Sequence, residues 1–568
     1  MLKLQTLLLV FLAHFALAQT PAKDTLKKKD TLLPAKKKDT LLPAALVTGK
    51  KPLMQMETDR LRFNVAGTDL AAGNTIWGVI EKTPLVRASE DGSIQISGTS
   101  GAVVYINNKK KVLSGMALKA YLSAMPSDNL EAIEVITTPS SKYDAEGGAG
   151  ILNIIIRKKK DEGFDGNAVL TMRETAVNSQ SGSVFLNNRS GKWDIYSSLY
   201  LVNRRRKPES SQDAYFPAGS VLVDRAISST GLTRALSSGA NLGIDHQLNK
   251  NHVVGLLFDF SGDWDKKDRG AYSWEHYTGG DSLSVSDNRD RLNAQTYSIN
   301  LNYEGKLDSL GRKLNMDFDA LRYTSTNNSV SKTETSLVTR DYFRSFSPQH
   351  VDNQSLKADY HLPLNKAASL DAGVKVSFSQ INNDLLFENN RGDSNNTGGS
   401  LWVKDDRRSN LFRYDENVYA AYLVLNQRLS SRWSYQLGTR VENTVAKGYL
   451  EESRVVDRNY TNLFPTGHLK YASSRAKSFG LAVSSRITRP SYWDVNPFRT
   501  YTTDKAYFEG NPFLLPSRYY REELSHVSNT SKATYTFQLA ANQTLNEFYS
   551  LPYRDSGDVI VNKRTNYG

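Results

Sequence analysis

From about residue 165 onward the chain alternates apolar and polar residues with a period of two. In Trp433 to Glu442, the residues Trp433, Tyr435, Leu437, Thr439 and Val441 face one way, and Ser434, Gln436, Gly438, Arg440 and Glu442 the other. The same pattern recurs at Val254–Phe260, Tyr297–Tyr303, Ala372–Phe378 and Tyr535–Leu539. Such segments are antiparallel strands with one apolar face. Short turns at Asn249-Lys250-Asn251, Ser430-Ser431 and Ser473-Ser474-Arg475 alternate with long polar stretches. The latter run roughly over Arg204–Leu232, Asp265–Asp290, Thr326–Asn353, Leu385–Ser409 and Thr488–Ser517, and are expected to be loops. A soluble sandwich or propeller has no reason to lengthen every second connection. A membrane barrel does, because the turns on one side are short and the opposite loops carry function.

Residues 47–165 have a different texture, that of a small α/β domain. Arg60–Val65 alternates like a strand, Ala72–Pro84 reads as a short helix stopped by proline, and Ser93–Gly98 and Ala102–Lys109 are two further short strands. Ser114–Pro126 reads as a helix with Ser114 as N-cap and an apolar stripe of Met116, Leu118, Tyr121, Leu122 and Met125. Two apolar runs follow, Ile133–Ile136 and Ile151–Ile156, joined by a polar segment ending in Gly147-Gly148-Ala149-Gly150. Burial of Ile151, Ile154 and Ile156 and positive φ at the glycines are expected, with Tyr143 free to bond toward whatever surrounds the domain.

Composition narrows the class. The first residues have a positive Lys3, an apolar Leu7–Phe15 and a small-x-small Ala16-Leu17-Ala18, which is an export signal ending at residue 18. Residues 19–46 form a linker carrying an identical tandem repeat, KKKDTLLPA at Lys27–Ala35 and Lys36–Ala44, too polar to bury a face and interrupted by proline. Nine lysines against three aspartates between Lys23 and Lys51 supply nearly half of the net charge of +13, so the charge marks a tether rather than a nucleic-acid surface. The 568 residues include no cysteine, which excludes disulfides and thiolate metal sites. A mean hydropathy of −0.49 and the absence of a long apolar run after the signal exclude a helical membrane protein but not a β-barrel. Aromatic residues at 10%, 29 of them tyrosine, suit the interfacial girdles of such a barrel.

The segment IEVITTPSSKYDAEGGAGILNIIIRKK resembles the closing part of the plug domain of TonB-dependent outer-membrane receptors. With DRLRFNV, KTPLVR, GSIQISGTSGAVVYINNK and RPSYWDVNPFRTYTTDKAYFEGNPFLLPS, the chain from about Val47 onward is similar to TonB-receptor-like outer-membrane β-barrel proteins. The resemblance implies a transmembrane antiparallel β-barrel (residues 166–568) around a small N-terminal α/β plug (residues 47–165). It marks Pro139, Tyr143, Asp144, Gly147, Gly148, Gly150 and Asn153 as the plug motif. It also implies a Gram-negative outer membrane with its lipid, a TonB-type periplasmic energy-coupling protein as partner, and uptake of a small-molecule, glycan or peptide ligand. No coupling motif is evident in the leader. A wall of about 22 strands is implied against about 16 that the pattern provides, so the chain is expected to be C-terminally truncated.

Candidate chemistry is sparse. His246 and His252 have no third ligand at metal spacing, and no nucleophile-base arrangement or cofactor motif accompanies the loop carboxylates Asp259, Asp263 and Asp265, which suit a lumen. Neither enzyme activity, a cofactor nor a metal site is expected. Arg391-Gly392-Asp393 is a chance match to an adhesion tripeptide. The aromatics Tyr492, Trp493 and Phe498 are the best candidates for ligand contact by stacking, against the alternative that this loop folds inward onto the plug. The rival function of another class is a barrel that binds a surface ligand without transporting it, and a third reading is a non-functional fragment.

Overall fold

The computed structural model describes residues 52–568 except 112, 114, 158–161, 216–221, 337–339, 391–401, 498, 504–505, 531 and 556–559. The signal, the repeat linker, the Ser114 cap, Arg391-Gly392-Asp393 and Phe498 lie outside the described residues.

The plug is built on a mixed sheet whose strands run in the spatial order Met54–Met56, Leu61–Asn64, Leu130–Ile136, Ile151–Ile156, Val103–Ile106 and Lys109–Lys110. The two apolar runs of the sequence are its centre. They pair antiparallel, Ile133 opposite Ile154 and Val135 opposite Leu152, and Val103–Ile106 adds in parallel. Flanked by strands on both edges, Leu130–Ile136 buries residues on both faces, which is why it is mostly apolar, and its buried Glu134 is paired with Arg60 and Arg62. Helices Ile76–Ile80 and Gly115–Ala124 close the core, which gathers Phe63, Trp77, Leu118, Leu122, Ile133 and Leu152. The second helix uses both of its faces. Leu118, Tyr121 and Leu122 enter the plug core, while Ala117 and Ala120 pack on Tyr200 and Val202 of the surrounding wall.

The wall is a 17-stranded meander beginning at Gly163–Arg173 and ending at Thr534–Leu545. Among the described residues no ladder joins its first strand to its last. The alternation seen in the sequence separates lipid from lumen. Leu437, Val441, Leu199 and Leu201 are exposed on the outside, and Gln436, Arg440, Glu442, Ser198 and Tyr200 are buried on the inside. At the short-turn rim, rings stack across neighbouring strands. Trp433 lies 4.6 Å from Tyr471, Phe479 lies 4.3 Å from His526, and Trp193 covers His246 at 4.0 Å. This is an aromatic girdle.

The long polar stretches are not all loops. Strands Leu222–Asn249, His252–Tyr277, Gly280–Lys306, Lys313–Thr335 and Arg340–Pro363 are 28, 26, 27, 23 and 24 residues long. A bilayer needs only about 9–11 residues per strand, so they run far past it as paired ribbons. Apolar alternation disappears there because water wets both faces, and pairing is maintained by polar partners. Ser286 and Thr333 are 3.0 Å apart, Asp290 accepts from Ser329 at 2.6 Å, and Asp268 accepts from Arg234 and Arg291 at 3.0 and 2.8 Å. The Thr488–Ser517 stretch is largely irregular among its described residues, holding the short helix Tyr492–Val495 and the strands Arg499–Thr503 and Ala506–Glu509.

Candidate functional site at the plug–wall contact

The loop between the two central plug strands, residues 137–150, is held against the wall by side chains distant in sequence. Asp144 lies between Lys375, at 2.7 and 3.0 Å, and Arg440, at 3.3 Å. Glu146 accepts from Arg489 at 2.6 Å, and the same guanidinium donates to Glu442 at 2.5 Å. Glu442 also accepts from Arg440 at 2.5 Å and from the Ala145 amide at 3.3 Å. Arg486 donates to the carbonyls of Gly147 (2.5 Å), Asp144 (2.6 Å) and Glu146 (3.3 Å). Backbone bonds Gly147 N to Ile487 O and Ile487 N to Ala145 O, each 3.0 Å, add the loop to the end of wall strand Lys477–Thr488.

A second contact repeats the arrangement nearby. Arg521 donates to Glu523 at 2.9 Å, and Glu523 accepts the Thr137 and Thr138 hydroxyls at 2.7 and 3.2 Å. His468 meets the Thr138 carbonyl at 2.8 Å, and the Ser141 and Thr466 hydroxyls are 2.8 Å apart. Both wall clusters are Arg-x-Glu on one strand, Arg440-Val441-Glu442 and Arg521-Glu522-Glu523. Spacing of two places both side chains on the lumen face. Arg440 is 2% exposed, so each charge there depends on its partners: removing one member of a buried pair costs about 3–5 kcal/mol.

The plug-motif residues divide by role. Asp144 makes the wall contact through its side chain and Gly147 through its backbone. Gly147 has φ +84°. Gly150 has φ +83°, and a Cβ there would sit 2.8 Å from the Ile136 carbonyl. Gly148 is the exception to the expected positive φ; it lies under the Tyr519 ring with room for a methyl group at 3.4 Å. Tyr143, expected to reach the wall, stays in the plug. Its ring packs on Ile136, Ile151 and edge-on against Tyr105 at 5.5 Å, because two apolar strand ends leave a pocket for it. Burial pushes its hydroxyl up to about 12, with the Arg60 guanidinium opposing. Asn153 is fully buried and ties Glu134 and Asn108 together, each at 2.8 Å, and Pro139 is buried.

Charge follows the geometry. Burial pushes the Asp144 carboxyl up, but Lys375, Lys110 and Arg440 outweigh it and hold it well below the usual range. Burial pushes the Glu146 carboxyl up despite Arg489.

At the opposite rim from the short turns, Tyr492 is 6% exposed, packed with Phe412, Tyr414 and Val495, and accepts from Gln349 at 2.7 Å. Trp493 beside it is 47% exposed. The loop is pinned by Arg564 to Asp494 at 2.6 Å. Of the expected aromatic trio, Trp493 is the one shown to present a ring to solvent. Sequence reasoning missed Lys375, Arg440, Glu442, Arg486, Arg489 and Glu523 as site residues. The signal available was the repeated Arg-x-Glu on lumen-facing positions.

Residues 305–568 match the model of the outer membrane protein beta-barrel family. No curated protein matches the sequence. Among solved structures, the fold is similar to the Pseudomonas aeruginosa ferric enterobactin receptor in complex with enterobactin, at TM-score 0.54 and 14% identity over 89% of this chain and 76% of that one. It is similar to the Acinetobacter baumannii siderophore receptor PiuA at 0.51 and 13%, over 89% and 74%. The unliganded ferric citrate transporter FecA gives 0.53 and 13%, over 89% and 72%. These neighbours are receptors and transporters, not enzymes, and they share the plug-in-barrel architecture.

Proposed function

We propose that this outer-membrane β-barrel protein, built as TonB-dependent receptors are, takes up a scarce nutrient by energy-coupled movement of its plug. The observation that carries the reading is where the chain enters the plug. Strand Met54–Met56 is held at the short-turn, periplasmic rim: Asn529 donates to the Met54 carbonyl at 2.9 Å, Lys470 to Met56 at 2.6 Å, and Thr58 meets Ser434 at 2.9 Å. Among the described residues that strand pairs only with Leu61–Asn64, over three residues. A pull on the preceding leader by a periplasmic partner would therefore load this edge first, and the force would reach the 137–150 loop through the central strands. On this reading the repeat-bearing leader is a tether long enough to present the coupling partner with a handle, Trp493 is a ligand-contact residue, and Asp144, Gly147 and Gly150 form the part of the plug that must release. Fold does not name the ligand, whether small molecule, glycan or peptide.

Deleting residues 23–46 while retaining the signal tests the reading. Uptake is expected to fall to background with surface binding intact. Unchanged uptake would instead favour a surface-binding barrel without active transport.

A further inference from the structure

A row of wall residues at one height lies apart from the loop contact of residues 137–150. Tyr200, Gly239, Ser261, Thr296 and Tyr323 lie opposite one another on five successive strands, all pointing to the lumen. Gly239 has no side chain, and a Cβ there would collide with the Tyr200 ring, including its hydroxyl end. The ring therefore lies across Gly239 and directs its hydroxyl toward the next strand, the one carrying Asp259, Ser261 and Asp263. Tyr200 is 6% exposed, and among the described residues its hydroxyl has no hydrogen-bond partner. A buried phenol without a partner has given up a hydrogen bond to water and gained none in return.

Beside that strand, between the plug helix at Ala117 and the wall, lies a cavity of about 280 Å³ lined by Asp259, Asp263, Thr296 and Tyr323 among others, and Tyr200 packs behind it on Ala117. Its two carboxylates are not equivalent. Asp259 is neutralised by Lys111 of the plug at 2.7 Å. Asp263 accepts the Ser237 hydroxyl at 2.5 Å and has no ion-pair partner among the described residues. Asp263 is thus the carboxylate without a direct ion pair in a chamber that also offers serine and threonine hydroxyls, the Tyr323 ring and the apolar Leu113 and Leu321.

We propose that this chamber is a binding subsite for an organic ammonium group, the amine end of a small ligand. An ammonium donates three hydrogen bonds and accepts none. Asp263, the Tyr200 oxygen and the Ser261 or Thr296 hydroxyl are acceptors of that kind, and a cation is further attracted to tyrosine faces. The alkyl stem of the amine would rest on Leu113 and Ala117. A bare metal ion fits less well, since among the described residues no group of three His, Cys, Asp or Glu is arranged to hold one. The lower wall of the site belongs to the plug helix, so displacement of the plug would open the subsite and release the amine inward. That last consequence rests on the uptake reading; occupancy of the subsite does not.

The test is calorimetric titration of the detergent-purified full chain with 1,4-diaminobutane, with butane-1,4-diol and calcium chloride as comparison probes. Saturable binding of the diamine, weakened at least tenfold by Asp263→Asn and severalfold by Tyr200→Phe, with no binding of the diol or calcium, is the expected result. Tyr200→Phe keeps the ring over Gly239, and Thr296→Val is a second variant expected to weaken binding should Asp263→Asn lose heat-modifiable gel mobility. Absence of saturable diamine binding, equal binding by the folded variants, or binding of calcium in its place would overturn the proposal. Because no transport is read, failure here leaves the uptake reading standing, and failure of leader deletion to stop uptake leaves the subsite standing.

Discussion

Arg486 of the wall and Gly147 of the plug are joined by a 2.5 Å hydrogen bond from the guanidinium Nε to the loop carbonyl, while Nη2 of the same side chain donates to the carbonyls of Asp144 and Glu146. One planar fork thus gathers three carbonyls of a tight loop, which an ammonium on a flexible stem does not reproduce. Arg486→Lys is expected to weaken loop docking by about 1.5–3 kcal/mol, the range for hydrogen bonds to a charged group. Amide exchange of residues 143–150 checks this: protection should fall there and remain unchanged in the plug core around Ile133 and Leu152.

The three loop glycines should respond differently to alanine. At Gly150 both the positive φ and the 2.8 Å approach to the Ile136 carbonyl oppose a methyl group, so Gly150→Ala should cost more than the roughly 1 kcal/mol typical of φ alone. Gly147→Ala meets only the φ penalty, and Gly148→Ala should be nearly neutral. Thermal unfolding of the three variants should rank 150 below 147 below 148; any other order would contradict the geometry.

Asp144 gives a pH dependence of known sign. A carboxyl held below its usual range contributes stability in full above its unfolded value of about 3.9, and that contribution is lost as pH falls through the folded value. The difference in loop protection between the native chain and Asp144→Asn should therefore be level from pH 7 to about 4 and shrink only below that. Shrinkage between pH 7 and 5 would show that Lys375 and Arg440 do not hold the carboxylate.

Tyr492 and Trp493 should separate structure from recognition. Tyr492→Ala removes a ring from a packed cluster and is expected to cost about 3 kcal/mol of loop stability. Trp493→Ala removes a half-exposed ring and should change stability by less than about 0.5 kcal/mol while, on the proposed reading, weakening ligand capture. Loss of stability in both variants with capture unchanged in Trp493→Ala would make the loop purely structural.

Much of the fold was legible because burial writes itself into the order of residues. Leu130–Ile136 and Ile151–Ile156 are largely apolar on both faces, the paired Glu134 and Asn153 excepted, because they are central in the plug sheet, and Trp433–Glu442 alternates because one face meets lipid and the other the lumen. The ribbons beyond the membrane were misread as loops because Ser286, Thr333, Asp290 and Ser329 pair across strands with no apolar face to announce them. The plug–wall contact was half legible. Sequence placed Arg440 and Glu442 on the lumen face, but nothing local specifies that they meet Asp144 and Ala145, some 296 and 297 residues away. Tyr492 and Trp493 are adjacent and alike in composition, yet a single turn of helix buries one and exposes the other.

The most direct measurement of the central claim, that the plug must leave its seat for the nutrient to pass, uses the 2.8 Å contact between the Ser141 and Thr466 hydroxyls and the absence of any native cysteine. A Ser141→Cys, Thr466→Cys double variant can be bridged by mild oxidation, fastening the loop to the wall. Energy-dependent accumulation of the nutrient that supports receptor-dependent growth should stop when the pair is oxidised and return on reduction, with surface binding constant throughout. Accumulation at the same rate in the oxidised and reduced forms would contradict the account.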